Sequence, residues 1–219
     1  MREQYRTVAQ QARIELDERK SRFIAVCRPL ENEQAAQAFV DSLKQEFPDA
    51  SHHVYAWILG GERILQRYSD DGEPQGTAGL PVLDALRRQG IDQAGIVVVR
   101  YFGGTLLGTG GLSRAYSRAA AQAVEAALPV VYRLCRQFRV TAGYAGQELL
   151  SRAWRQKCYE TSHISYGIDV ETLIAVPQSE CADFDRLCAD LTQGAALIEP
   201  QGLVYRPLPP PDPPPVSSV

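Results

Sequence analysis

Between Ile96 and Arg118 the chain reads I-V-V-V-R-Y-F-G-G-T-L-L-G-T-G-G-L-S-R-A-Y-S-R. Five glycines, Gly103, Gly104, Gly108, Gly110 and Gly111, fall within nine residues, and Arg100, Tyr101, Arg114 and Arg118 flank them. From Gln93 to Val124 there are three arginines and no Asp, Glu or Lys. Glycine adopts positive φ freely and lets a ligand or another backbone come close. A helix start adds unpaired N–H groups and a partial positive charge. Together these suit an anion such as phosphate. Arg114 and Arg118 stand one turn apart on one helix face. A second reading stays open, in which the glycines serve tight turns and close packing and the arginines are solvated. The glycine spacing fits neither the dinucleotide fingerprint nor the P-loop.

A second polar cluster lies in S-D-D-G-E-P-Q-G-T-A-G-L-P, Ser69 to Pro81. Asp70, Asp71 and Glu73, with His52, have the chemistry of hard cation ligands. Asp-Asp-Gly-Glu-Pro is equally turn chemistry, in which Asp side chains bond their own backbone. A third reading pairs Asp70 or Glu73 with Arg100 or Arg114, so that the two stretches shape one site. We expect no bound metal, no cofactor and no catalytic residue. There is no G-x-S-x-G elbow, Ser113 and Ser117 have no evident base, and Cys135 and Cys181 lie in core-like patterns.

From Tyr132 to Lys157 five Arg and one Lys face Glu148 alone. Tyr132, Leu134, Phe138 and Val140 alternate with Arg133, Cys135, Gln137 and Arg139. With Arg152 and Arg155, the residues Arg133 and Arg139 are expected to form a secondary basic face suited to phosphate. The aromatic pattern of RNA-recognition sheets is missing, and Tyr159 and Tyr166 are the available stackers.

The elements that must position these residues follow from periodicity. Ile96–Val99 is a short β-branched run, read as a strand buried on both faces. The helix after the glycine loop shows its apolar repeat from Leu112 to Leu128. Upstream, Tyr5–Leu16 and Phe23–Arg28 read as strands, Glu31–Phe47 as a helix, and His53–Leu59 with Glu62–Tyr68 as a hairpin turning at Gly60-Gly61. Pro81 opens a short helix that Gly90 ends. Pro129 is the expected domain boundary. Beyond it, Val130–Thr141, Gly146–Lys157, Tyr159–Gly167, Asp169–Val176, Ser179–Leu191 and Ala195–Tyr205 read β-α-β-β-α-β, a ferredoxin-like unit. The tail P-L-P-P-P-D-P-P-P is expected to be polyproline II or disordered.

Composition bounds the function. The 219 residues are 45% hydrophobic and 22% charged, with a formal net charge of −3 and a pI near 5.7. That is an ordinary globular composition, not a globally basic nucleic-acid binder. Five cysteines without a C-x-x-C pair fit reduced thiols in a cytoplasmic protein. No signal peptide and no membrane span is read.

With these residues in view, the chain resembles the YigZ/IMPACT family of proposed translation regulators. The matching motifs are S-D-D-G-E-P-x-G-T-A-G-x-P at Ser69–Pro81 and V-V-V-R-Y-F-G-G-x-x-L-G-x-G-G-L-x-R-A-Y at Val97–Tyr116, with A-S-H at Ala50–His52 and S-R-F at Ser21–Phe23. His53 and Val54 stand where many members carry Asn-Cys. The resemblance implies an α+β fold. Residues 1–129 would look like domain IV of elongation factor G, with a left-handed βαβ crossover. Residues 130–206 would be a ferredoxin-like domain, and 207–219 the proline-rich tail. It also implies a translation regulator; with the residues read above, the expectation is a non-enzymatic protein that binds RNA or a ribosome-associated partner, with no membrane partner and no DNA sequence specificity. Two alternatives stay open. One is an enzyme or sensor for a small phosphorylated ligand between the acidic and glycine-rich loops; the other is a protein–protein regulator.

Overall fold

The computed structural model describes residues 2–61 and 64–208, so the expectation for the proline-rich end falls largely outside the described residues. The chain forms two compact units. The first runs from Tyr5 to Val131. The second begins at Tyr132 and also takes in Arg2–Gln4. Those three residues are held there because Leu134 N–H donates to Glu3 O at 2.8 Å and Tyr205 Oη–H to Arg2 O at 2.8 Å.

The first unit contains, in order, β1 (Gln4–Val8), β2 (Ala12–Glu18), β3 (Ser21–Pro29), α1 (Glu33–Glu46), β4 (His52–Leu59), β5 (Leu65–Ser69), α2 (Gly79–Arg88), β6 (Ala94–Tyr101) and α3 (Thr109–Ala126). The single strand expected over Tyr5–Leu16 is two strands. The two belong to different sheets, and between them Ala9 N–H bonds Ala127 O and Leu128 O beyond α3.

Strands β2–β3–β6–β4–β5 form one sheet, each neighbouring pair antiparallel. The all-apolar run of β6 sits at its centre because both faces are covered. Successive strand residues point to opposite faces. Phe23, Ala25, Val54, Ala56, Ile96 and Val98 therefore meet α2 and α3. Ile24, Val26, Trp57, Val97 and Val99 meet α1 through Phe39, Val40 and Leu43. Each such large apolar side chain contributes roughly 1.5–3 kcal/mol by leaving water. Helix α1 starts where Asn32 Oδ1 accepts from Ala35 N–H at 2.9 Å, a side-chain N-cap.

The connections β3–α1–β4 and β5–α2–β6 each join parallel strands across one intervening strand. Both advance across the sheet in the same rotational sense, yet their helices lie on opposite faces. The two crossovers must therefore have opposite hands, and one of them is left-handed, against the strong right-handed rule.

The second unit contains β7 (Pro129–Ala142), α4 (Tyr144–Gln156), β8 (Glu160–Tyr166), β9 (Val170–Pro177), α5 (Cys181–Thr192) and β10 (Leu197–Pro207). The antiparallel strand order β10–β7–β9–β8 is the ferredoxin-like arrangement. Both helices cover one face, where Phe138, Val140, Leu150, Trp154, Ile174 and Phe184 form the core. The chain is thus α+β throughout.

Candidate functional site

Arg100, the last residue but one of β6, lies on the same face as Ile96 and Val98, under α3. The residue is buried, at 4% exposure. Glu73, from the loop before α2, is there to meet it. Arg100 Nη1 donates to Glu73 Oε1 at 2.5 Å, and Tyr116 Oη–H, from α3, donates to the same oxygen at 2.7 Å. Burial first, and then the Glu73 charge, push the Tyr116 hydroxyl far above its ordinary range, so it stays a proton donor. Arg100 Nη2 also donates to Ser21 Oγ at 3.2 Å, as does Gly103 N–H at 3.2 Å. The guanidinium lies over the rings of Phe23, at 5.4 Å, and Phe102, at 5.5 Å. Of the readings open from the sequence, the structure holds the pairing of the two loops: the acidic stretch and the glycine-rich stretch are tied together by a buried ion pair.

The other two carboxylates of the acidic loop hold the loop itself. Asp70 accepts from Gly76 N–H at 2.9 Å, Ala78 N–H at 3.0 Å and Gly79 N–H at 2.8 Å, fastening the loop to the start of α2. Asp71, at φ +44°, accepts from His53 N–H at 2.6 Å, while its carbonyl meets His52 Nδ1 at 2.8 Å. Among the described residues no three His, Cys, Asp or Glu side chains converge on a common metal position.

The five glycines do different jobs. A Cβ on Gly103 would overlap Lys20 O, so Gly103 permits the loop to close on the β2–β3 turn. Gly104 and Gly108 have φ +78° and +72°. Gly110 and Gly111 lie within the first turn of α3 rather than in the loop, because the helix begins at Thr109, ahead of its apolar repeat. Tyr101 closes β6 with its hydroxyl donating to Asp49 Oδ1 at 3.0 Å.

Arg114 and Arg118 are exposed on α3. They line a cleft of about 230 Å³ together with Leu107, Gly111, Ala115, the last residue of β2, Glu18, and Arg19 of the β2–β3 turn. Arg118 Nη2 bonds Glu18 Oε2 at 3.0 Å. An exposed pair of this kind contributes little and can be exchanged for another anion. Arg114 has no ion-pair partner among the described residues. The helix start above them, with Gly108 as N-cap, carries no side-chain cap. Three arginines, one glutamate and the first turn of a helix therefore border one small cleft. Arg100, Asp70, Asp71 and Glu73 do not line it; they form the scaffold beneath the glycine loop. Arg19 was not picked out from the sequence, although it follows directly on the strand that reads A-R-I-E-L-D-E.

In the second unit the four arginines expected on one basic face are divided. Arg133 and Arg139 point away from the helices, on the open side of the sheet, and meet Glu180 and Glu171, each at 3.5 Å. Arg152 and Arg155 are exposed on α4, which covers the opposite side. Counting charge along a segment does not register which side of a layer each residue occupies.

These features define a two-unit α+β protein in which a strand, glycine loop and helix are locked to an acidic loop by Glu73 and Arg100. The chain belongs to the IMPACT family: the family model described as Impact N-terminal domain matches residues 19–124. A second model, described as Domain of unknown function (DUF1949), matches residues 140–195. The IMPACT family member YvyE of Bacillus subtilis is 33% identical over 201 residues, covering 92% of this chain and 93% of that protein. The IMPACT family member YigZ of Escherichia coli is 36% identical over 182 residues, covering 82% and 89%. A Thermus thermophilus family member is 37% identical over 183 residues, covering 82% and 98%. A solved structure described only as that of a hypothetical protein is 32% identical, with a TM-score of 0.59, covering 90% of this chain and 97% of that one. No helix among the described residues is long and apolar enough to cross a membrane.

Proposed function

We propose that this protein is a non-enzymatic, cytoplasmic regulator associated with translation, and that it binds RNA through phosphate contacts at the start of α3. Membership of the IMPACT family supports a translation-related regulatory role in general. The observation that carries the RNA reading is the convergence of Arg19, Arg114 and Arg118 on one cleft beside an uncapped helix start. Guanidinium groups bind phosphate as paired donors, and the helix terminus adds favourable charge. The divided arginines of the second unit, Arg133 and Arg139 on the open sheet face and Arg152 and Arg155 on α4, offer weaker secondary contacts.

The test is a salt titration of RNA binding. Each phosphate contact to a single strand releases counterions and contributes a log–log slope of about −0.7. The double variant R114A/R118A is expected to bind all sequences more weakly, with a slope shallower by roughly 1.4. Its melting curve should stay within about 0.5 kcal/mol of the wild type, because both side chains are exposed. An unchanged slope in the folded double variant overturns the proposal. The cleft volume of about 230 Å³ also favours a second reading, a small phosphorylated ligand. In that case inorganic phosphate would displace RNA far more effectively than its ionic strength accounts for.

A further inference from the structure

We infer that Phe102 is a stacking platform for an unpaired base of single-stranded RNA whose phosphates lie in the neighbouring arginine cleft. The inference rests on the RNA reading above and names the form of RNA that the site takes. Phe102 is the first residue of the glycine loop. One face of its ring lies over the Arg100 guanidinium at 5.5 Å, yet the residue remains 47% exposed. Nearly half of this large aromatic residue is thus open to solvent.

The backbone that carries the ring is held on both sides. Phe102 N–H donates to Ser51 Oγ at 3.1 Å, and Ser51 N–H donates to Arg100 O at 2.9 Å. The next residue, Gly103, is pinned by Ser21 Oγ and seats directly on Lys20 O. The cation beneath the ring is itself fixed by Glu73 and Ser21. A surface that is ordered before binding loses little freedom on binding.

The location matters as much as the rigidity. Lys20, on which Gly103 sits, follows Arg19, and Leu107 ends the same loop; Arg19 and Leu107 both line the arginine cleft. A half-exposed aromatic residue and three guanidinium groups are therefore carried by one loop and the two elements it touches. Base-on-aromatic stacking beside a cationic groove is how proteins hold single strands with little sequence preference. A paired base in a duplex has no free face to offer, so the site discriminates single from double strands.

Binding of a labelled oligoadenylate is to be compared with binding of an abasic strand of equal length and charge, using wild type, Phe102→Ala and Phe102→Trp. The wild type is expected to favour the base-bearing strand by about ten- to a hundredfold, the range of one aromatic stack. F102A should lose that preference while keeping the salt slope, and F102W should retain it. Equal affinity of the wild type for both strands overturns the inference, as does an F102A variant that binds oligoadenylate normally. If R114A/R118A still changes the slope in that case, the RNA reading survives alone. If the wild type binds neither strand in a salt-dependent way, both fail. The abasic comparison uses the unmodified protein, so it stands whatever the variants do to folding.

Discussion

Glu73 and Arg100, twenty-seven residues apart, meet at 2.5 Å with only 4% and 5% of their side chains exposed. The pair joins the acidic loop to the strand that leads into the glycine loop, and Tyr116 ties α3 to the same Glu73 oxygen. Such a contact is costly to break from one side, because the remaining charge stays buried without its partner.

Glu73→Ala is therefore expected to destabilise the first unit by about 3–5 kcal/mol in urea unfolding. Arg100→Met should cost a comparable amount. The joint replacement of Glu73 by Leu and Arg100 by Met should cost clearly less than the two single costs added together, since no lone charge is left behind. Strict additivity would show that the pair does not act as a unit.

How much of this was legible in the sequence can be seen at particular residues. The burial of β6 on both faces could be read from its uninterrupted β-branched apolar run between turn signals; its place at the centre of the sheet could not, because strand pairing joins residues far apart in sequence. The order of the second unit could be read because each element carries its own periodicity. The inward turn of Arg100 was also present, as the third member of the i, i+2, i+4 series begun by Ile96 and Val98, but its charge masked that series. Arg19 was hidden for a different reason. Arg19 and Lys20 form a two-residue hairpin turn with φ +44° and +68°. Turns of that geometry are ordinarily marked by Asn-Gly or Asp-Gly, and here the marker is absent. The contact between Gly103 and Lys20 joins residues far apart in sequence, which no local pattern encodes.

The glycines should separate sharply on mutation. Gly103→Ala has no room against Lys20 O and should lower stability and, on the RNA reading proposed above, weaken RNA binding, because the loop must move off the β2–β3 turn. Gly110→Ala meets only Arg114 Nη1, at 3.5 Å, in helical backbone. It should stabilise by about 0.5–1 kcal/mol, as glycine in a helix costs conformational entropy. Melting curves of the two variants decide this; equal destabilisation would contradict the assignment of Gly110 to α3.

Stability should fall at alkaline pH, and the buried thiols set the window. Burial pushes Cys27 up to about 12 and Cys188 up to about 11, from an ordinary value near 9. Burial also raises the hydroxyls of Tyr116 and Tyr159, with Glu73 and Glu180 adding to the effect. All four groups stay neutral in the folded protein at a pH where the unfolded chain has begun to ionise. Between about pH 9 and about pH 12 the unfolded state therefore binds fewer protons, and stability drops as pH rises. Their contribution is complete below about pH 9. Thermal melts taken from about pH 8 upward should show a plateau and then a decline, and Cys27→Ala should make the decline shallower. Thiol labelling gives an independent check. Cys158 is exposed and should react first, whereas Cys27 and Cys188 should react only on unfolding. Rapid labelling of Cys27 in the native protein, or a melting temperature that stays level across the window, would refute the argument.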